Sequence, residues 1–106
     1  MSLIEQVQTN LVHYNLWTNV RQRTPEILTG FPPAKLIQDD PESLEEWVIP
    51  KLMADKNMPL TEIESWFKSI TNISHRPKRI TVGLVNDDST VVYYFIHDGM
   101  VKPRKN

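Results

Sequence analysis

Residues 80–96 read Ile80-Thr81-Val82-Gly83-Leu84-Val85, then Asn86-Asp87-Asp88-Ser89, then Thr90-Val91-Val92-Tyr93-Tyr94-Phe95-Ile96. Two runs rich in β-branched and aromatic residues flank four turn formers, which is the pattern of a β-hairpin, and Asp98-Gly99 closes the second run. A half-exposed strand alternates apolar with polar residues. Here Val91, Tyr93 and Phe95 face one way and Val92, Tyr94 and Ile96 face the other, so both faces require cover. Either the strand is central to the sheet, with cover from the chain itself on both sides, or one face or an unpaired edge is covered by a second polypeptide. The residues alone leave both open.

Outward from the hairpin, a polar loop from Thr71 to Pro77 precedes it, and a helix precedes the loop. Ile63, Trp66, Phe67 and Ile70 recur at helical spacing behind Thr61 and Glu64, which have capping-box spacing, so a helix is expected from about Glu62 to Ile70. Before it, Ser43 and Glu46 offer another capping box, but Pro50 follows and Trp47-Val48-Ile49 is β-prone. Residues 44–53 are therefore either a strand or a short helix. Residues 39–46 hold five acids and no base and read as a solvated acidic connection. Between Ile27 and Ile37 the pair Pro32-Pro33 implies two short extended pieces around a rigid bend. Residues 1–23 read as an N-terminal helix, capped by Ser2 and Glu5 with Ile4, Val7, Leu11 and Tyr14 on one face, followed by a first strand near Trp17–Arg21. The expected fold is one small α/β domain of the α+β type, with two helices, a mixed or antiparallel sheet and the C-terminal hairpin at 80–96.

A chain of 106 residues has room for one core, and burial in so short a domain leaves a thin stability margin. The 40% hydrophobic and 24% charged composition is that of a globular protein, and no run approaches the length that spans a bilayer, so no membrane insertion is expected. The start lacks a signal-peptide pattern, and the lack of cysteine removes disulfides and thiol chemistry and fits a reducing compartment. The net charge of −1 averages an acidic front against a basic end: residues 1–74 hold six Lys/Arg and ten Asp/Glu, residues 75–106 six and three.

Chemistry-bearing motifs are sparse. His13, His75 and His97 have no metal-ligand spacing, no phosphate-cradling or nucleophile-elbow motif occurs, and neither a metal nor a cofactor is expected. The pair Asp87-Asp88 suits a hairpin turn first. As catalytic carboxylates two neighbours on a tip have no opposed geometry, whereas as a negative knob for a basic pocket they are well placed. The basic residues Arg76, Lys78 and Arg79, with Lys102, Arg104 and Lys105 in the tail at 102–106, are candidates for RNA phosphate contact.

Three stretches carry a family resemblance: Leu11-Val12-His13-Tyr14-Asn15-Leu16-Trp17-Thr18-Asn19-Val20, Gly30-Phe31-Pro32-Pro33-Ala34-Lys35-Leu36, and above all Val85 to Ile96 continuing through Gly99 to the tail. Together they resemble the small structural "Sen fifteen" subunit of the eukaryotic tRNA-splicing endonuclease in its fungal form. The resemblance implies the fold of that endonuclease's C-terminal domain. It also implies membership in a heterotetramer of two catalytic and two structural subunits that excises introns from precursor tRNA, cutting without metal to leave a cyclic phosphate and a free 5′-hydroxyl. In the family the small subunit pairs with a catalytic subunit through C-terminal strands packed tail to tail. An acidic loop before the last strand enters a basic pocket on a catalytic subunit of the opposite pair. Carried over by position, the loop is Asn86, Asp87, Asp88 and Ser89, and the pairing strand region is Val91, Val92, Tyr93, Tyr94, Phe95 and Ile96 with Met100 and Val101. The implied compartment is the nucleus, or the cytosolic face of the mitochondrial outer membrane in some fungi.

The family's nuclease chemistry joins a Tyr, a His and a Lys. This chain has Lys78 and Arg79 near the lysine's place but no tyrosine between Tyr14 and Tyr93, and no matching His motif, so a non-catalytic subunit is expected. The alternatives are a nuclease in its own right, using Tyr93 or Tyr94, His97 or His75 and Lys78, and a small RNA-binding module acting through the basic flanks. The apolar strand faces also make a homodimer of the isolated chain an expectation.

Overall fold

The computed structural model describes residues 2–38, 40–41 and 44–99. A five-stranded mixed sheet runs in the order β1-β2-β3-β4-β5, from β1 (Thr18–Thr24) and β2 (Ile27–Phe31) through β3 (Glu46–Leu52) to β4 (Arg79–Val85) and β5 (Val91–His97). Only the β3/β4 pair is parallel. That pair needs a crossover, and helix α2 (Leu60–Ile73) supplies it. Helix α1 (Leu3–Thr9) opens the chain and continues into a π-helical turn, Asn10–Tyr14.

The two helices lie on opposite faces of the sheet, as the two separate cores show. Ile63, Trp66, Phe67 and Ile70 of α2 pack on Ile27, Trp47, Ile49, Ile80, Val82, Leu84 and Ile96. Val7 and Leu11 pack with Trp17 on Leu28, Val48 and Val85, joined by the half-buried Val91 and Tyr93. Successive strand residues alternate between these two cores, so β4, flanked by β3 and β5, is buried along its whole length. No helix among the described residues is long and apolar enough to cross a membrane.

The expected elements are present, with instructive differences. The Ser2/Glu5 capping box forms, Ser2 Oγ accepting from Glu5 N at 3.2 Å and Glu5 Oε1 accepting from Ser2 N at 2.9 Å. Thr61 does not cap α2. The helix starts two residues earlier than expected, at Leu60, with Pro59 as the N-cap, whose carbonyl accepts from the N–H groups of Glu62 and Ile63, while Glu64 is engaged elsewhere. Residues 46–52 are strand. Pro50 lies past Val48, where pairing to β2 ends, so the missing N–H interrupts no ladder on that side.

The acidic connection is not simply solvated. Asp40 and Glu46 turn inward onto Arg79, and all three side chains are only 2% exposed. Arg79 donates to both Asp40 oxygens at 2.8 and 2.6 Å and to both Glu46 oxygens at 3.3 and 2.6 Å. Asp39, Glu42 and Ser43 of the connection lie outside the described residues.

Candidate protein–protein interface

Strand β5 lies at the end of the strand order, and among the described residues it pairs with β4 alone. The reading of a strand central to the sheet is thereby corrected. Both faces of β5 are apolar because it borders two cores, yet only one face is well covered by the described residues.

On the α1 face, Tyr93 stacks over Gly83. A Cβ built there would meet the ring at 3.1 Å and Val7 Cγ1 at 3.3 Å, so glycine is what lets the strand, the ring and the helix approach. The Tyr93 hydroxyl donates to Asn10 Oδ1 at 2.7 Å, and burial pushes its pKa above the usual phenol range. Phe95 lies under the Arg79 guanidinium, 4.6 Å from the ring centroid, a cation–π contact. On the α2 face the register Ile80↔Ile96, Val82↔Tyr94, Leu84↔Val92 sets three β5 side chains beside buried β4 partners. The core of α2 extends only to Ile96; Val92 is 39% exposed and Tyr94 51%. An apolar strip thus lies next to a sheet edge, where alternate residues direct N–H and C=O groups away from β4.

The hairpin tip divides its two acids between structure and solvent. Asp88 Oδ1 accepts from Thr90 N at 3.1 Å and from Thr90 Oγ1 at 2.6 Å, and these bonds hold its carboxyl below the usual range. Asn86 N donates to Thr90 O at 2.8 Å, Ser89 N donates to Asn86 O at 3.0 Å, and Ser89 takes a left-handed φ of 72°. Asp87 is exposed, and among the described residues its carboxylate has no hydrogen-bonding partner. It is the member of the pair available to a second molecule.

The basic residues fare differently from the sequence expectation. Arg79, a candidate phosphate contact, is buried between two carboxylates and presents no charge to solvent. Asp40 is held well below the usual carboxylate range, chiefly by its bonds to Arg79, while burial, opposed by Arg79, pushes Glu46 up. Arg76 makes paired hydrogen bonds to Glu64 and to Asp98, joining α2 to the end of β5. Lys78 lies 3.4 Å from Asp40 but keeps 59% of its side chain exposed. Of these three cations, Lys78 alone extends mainly into solvent. Met100, Val101, Lys102, Arg104 and Lys105 lie outside the described residues.

The residues weighed for a nuclease are not brought together. Tyr94 and His97 fall on opposite faces of β5 by parity, and Tyr93 and His97, on one face, are four residues or about 13 Å apart along the strand. Tyr93 is in addition occupied with Asn10. Sequence reasoning missed the Asp40–Glu46–Arg79 cluster. Its one signal is phase, since Glu46 shares a face with Val48, and Arg79 with Thr81, on strands that prove to be neighbours.

A family model described as Sen15 protein matches residues 6–106 of the chain. The chain is 36% identical over 103 residues to the tRNA-splicing endonuclease subunit SEN15 of Eremothecium gossypii, a match covering 94% of this chain and 87% of that one. It is 35% identical over 81 residues to a probable tRNA-splicing endonuclease subunit, tsp-1, of Neurospora crassa, covering 58% of this chain and 36% of that protein.

Proposed function

Because the chain belongs to the Sen15 family, we propose that it is a non-catalytic structural subunit of the tRNA-splicing endonuclease, pairing through β5 with a catalytic subunit during intron excision. Its part in tRNA splicing, with the other endonuclease subunits as partners, follows from family membership and from the names its relatives carry. The observation that carries the structural role is β5 itself: among the described residues it is an edge strand, pairing with β4 alone, whose Val92 and Tyr94 are apolar and exposed. A strand of another subunit laid along this edge would complete the ladder, and its side chains would cover the strip.

Asp87 supports a second contact. A free carboxylate on a tight turn reaches beyond the sheet, and a basic pocket is the complementary surface. Precursor tRNA is met through the complex, and cleavage belongs to the catalytic subunits, since Tyr93, Tyr94, His97 and Lys78 offer no concerted acid and base here. The test is hydrogen exchange of the chain alone and assembled with the other endonuclease subunits. Slower exchange is expected at β5 amides directed away from β4. An assembled complex in which β5 exchanges as fast as in the free chain would overturn the pairing.

A further inference from the structure

Tyr14 is the most exposed large hydrophobic side chain among the described residues, at 79%, and it stands beside the hairpin tip. Tyr14 and Ser89 share the lining of one shallow cavity of about 400 Å³ with Gln6, Thr9 and Asn10. Neither the ring nor the hydroxyl of Tyr14 has a polar or ring contact among the described residues. The local backbone explains why the ring points outward. A regular α-helix would carry Tyr14 on the apolar face set by Val7 and Leu11, but the chain widens into a π-helical turn over Asn10–Tyr14. Asn10 anchors the turn: its Oδ1 accepts from Asn15 Nδ2 at 2.7 Å and from the Tyr93 hydroxyl at 2.7 Å. The same side chain therefore fixes both the turn that presents Tyr14 and the strand that leads from the tip.

The charge around this surface is of one sign. Residues 2–20 and 80–92 contain no Lys or Arg, while Glu5, Asp87 and Asp88 fall within them. We propose that Tyr14 and the hairpin tip form one docking knob, an exposed ring beside the turn that carries the free carboxylate of Asp87, whose occupant is a cationic pocket with an apolar rim on another protein subunit. This rests on the reading of the chain as an assembly subunit with a docking tip, and adds to it an anchor residue from a different part of the chain. Aromatic side chains that become fully desolvated beside a charged contact are the usual carriers of interface energy.

The test is assembly of the full endonuclease from its subunits, with its dissociation constant followed over a salt series for the wild type, Tyr14→Ser, Tyr14→Lys and Asp87→Asn, each first shown to melt like the wild type. Tyr14→Ser is expected to weaken assembly about 10-fold with an unchanged salt dependence. Tyr14→Lys should weaken it further, by like-charge repulsion, and Asp87→Asn should weaken it and flatten its salt dependence. If Asp87→Asn weakens assembly while both Tyr14 variants assemble like the wild type, the docking tip stands and the role of Tyr14 is overturned. If all three assemble like the wild type, the docking tip itself falls. If Tyr14→Lys tightens assembly, the occupant is not cationic and the proposal is wrong.

Discussion

Strands β4 and β5 are neighbours of seven residues each, joined by one hairpin in perfect register from Arg79↔His97 to Val85↔Val91. All seven residues of β4 are buried, whereas in β5 only Ile96 is. The difference is one of position: β4 has strands on both sides and a helix over each face, while β5 has, among the described residues, one neighbour and loses the cover of α2 beyond Ile96. A strand that borders two cores needs cover on both faces: for β4 the domain supplies it, and for β5 the proposal is that another molecule does.

If this contrast holds, substitutions in β4 act on folding and substitutions in β5 act on assembly. The largest effect on folding is expected at the start of β4. Arg79→Met leaves Asp40 and Glu46 buried beside each other without their cation, and should cost about 3–5 kcal/mol in denaturant unfolding. Replacing all three with apolar residues should restore much of the loss, because the cluster's removal leaves no uncompensated charge. Next comes the cross-strand pair Leu84 and Val92, partners in the ladder. Leu84→Ala should cost about 2–5 kcal/mol because the side chain is only 2% exposed, and Val92→Ala under about 1 kcal/mol because its side chain already meets solvent. Equal losses would erase the distinction between the strands.

Acidification probes the same ion cluster. Asp40, Glu64 and Asp88 are held below their usual values, by Arg79, Arg76 and Thr90 respectively. Their contribution is complete above the unfolded-state values near about 4 and is lost as pH falls toward the lower folded-state values. Glu46, raised by burial, acts in the opposite sense: its contribution is present at low pH and lost as pH rises through its folded value. With Glu5, lowered by its hydrogen bonds to Ser2, four depressed groups against one raised group predict a melting temperature that falls as pH is lowered from about 5 toward 3, with a shallower fall in Asp40→Asn. A flat melting temperature over that range would contradict the assignment. The smallest effect is at the tip, where Asp88→Ala should lower the melting temperature slightly by removing the bonds to Thr90, and Asp87→Ala should leave it unchanged.

How much of this was legible beforehand follows from the range of the interactions. The hairpin, the Ser2/Glu5 cap and the amphipathic face of α2 are encoded within a few residues, so the sequence displays them directly. Whether β5 is central or at an edge depends on which strands lie beside it, and β5 has the same two-residue period either way. The acids at 40 and 46 looked solvated because their partner, Arg79, is more than thirty positions away. Pro50 argued against a helix but left strand and short helix both open for residues 44–53, and the sheet settles it as strand, with pairing to β2 ending before the proline. At the interface the resemblance singled out the whole of Val91–Ile96. The structure separates that stretch by parity: Val91, Tyr93 and Phe95 toward the chain's own α1 face, Val92 and Tyr94 toward solvent.

The central claim is that the exposed face of β5 is where a catalytic subunit joins. The most direct measurement is assembly of the endonuclease with the double variant Val92→Lys/Tyr94→Lys, beside a thermal melt of the variant alone. Both side chains are exposed, so the melt should stay within a few degrees of the wild type while the variant fails to co-purify with the other subunits. A variant that melts normally and still assembles as tightly as the wild type would contradict the account.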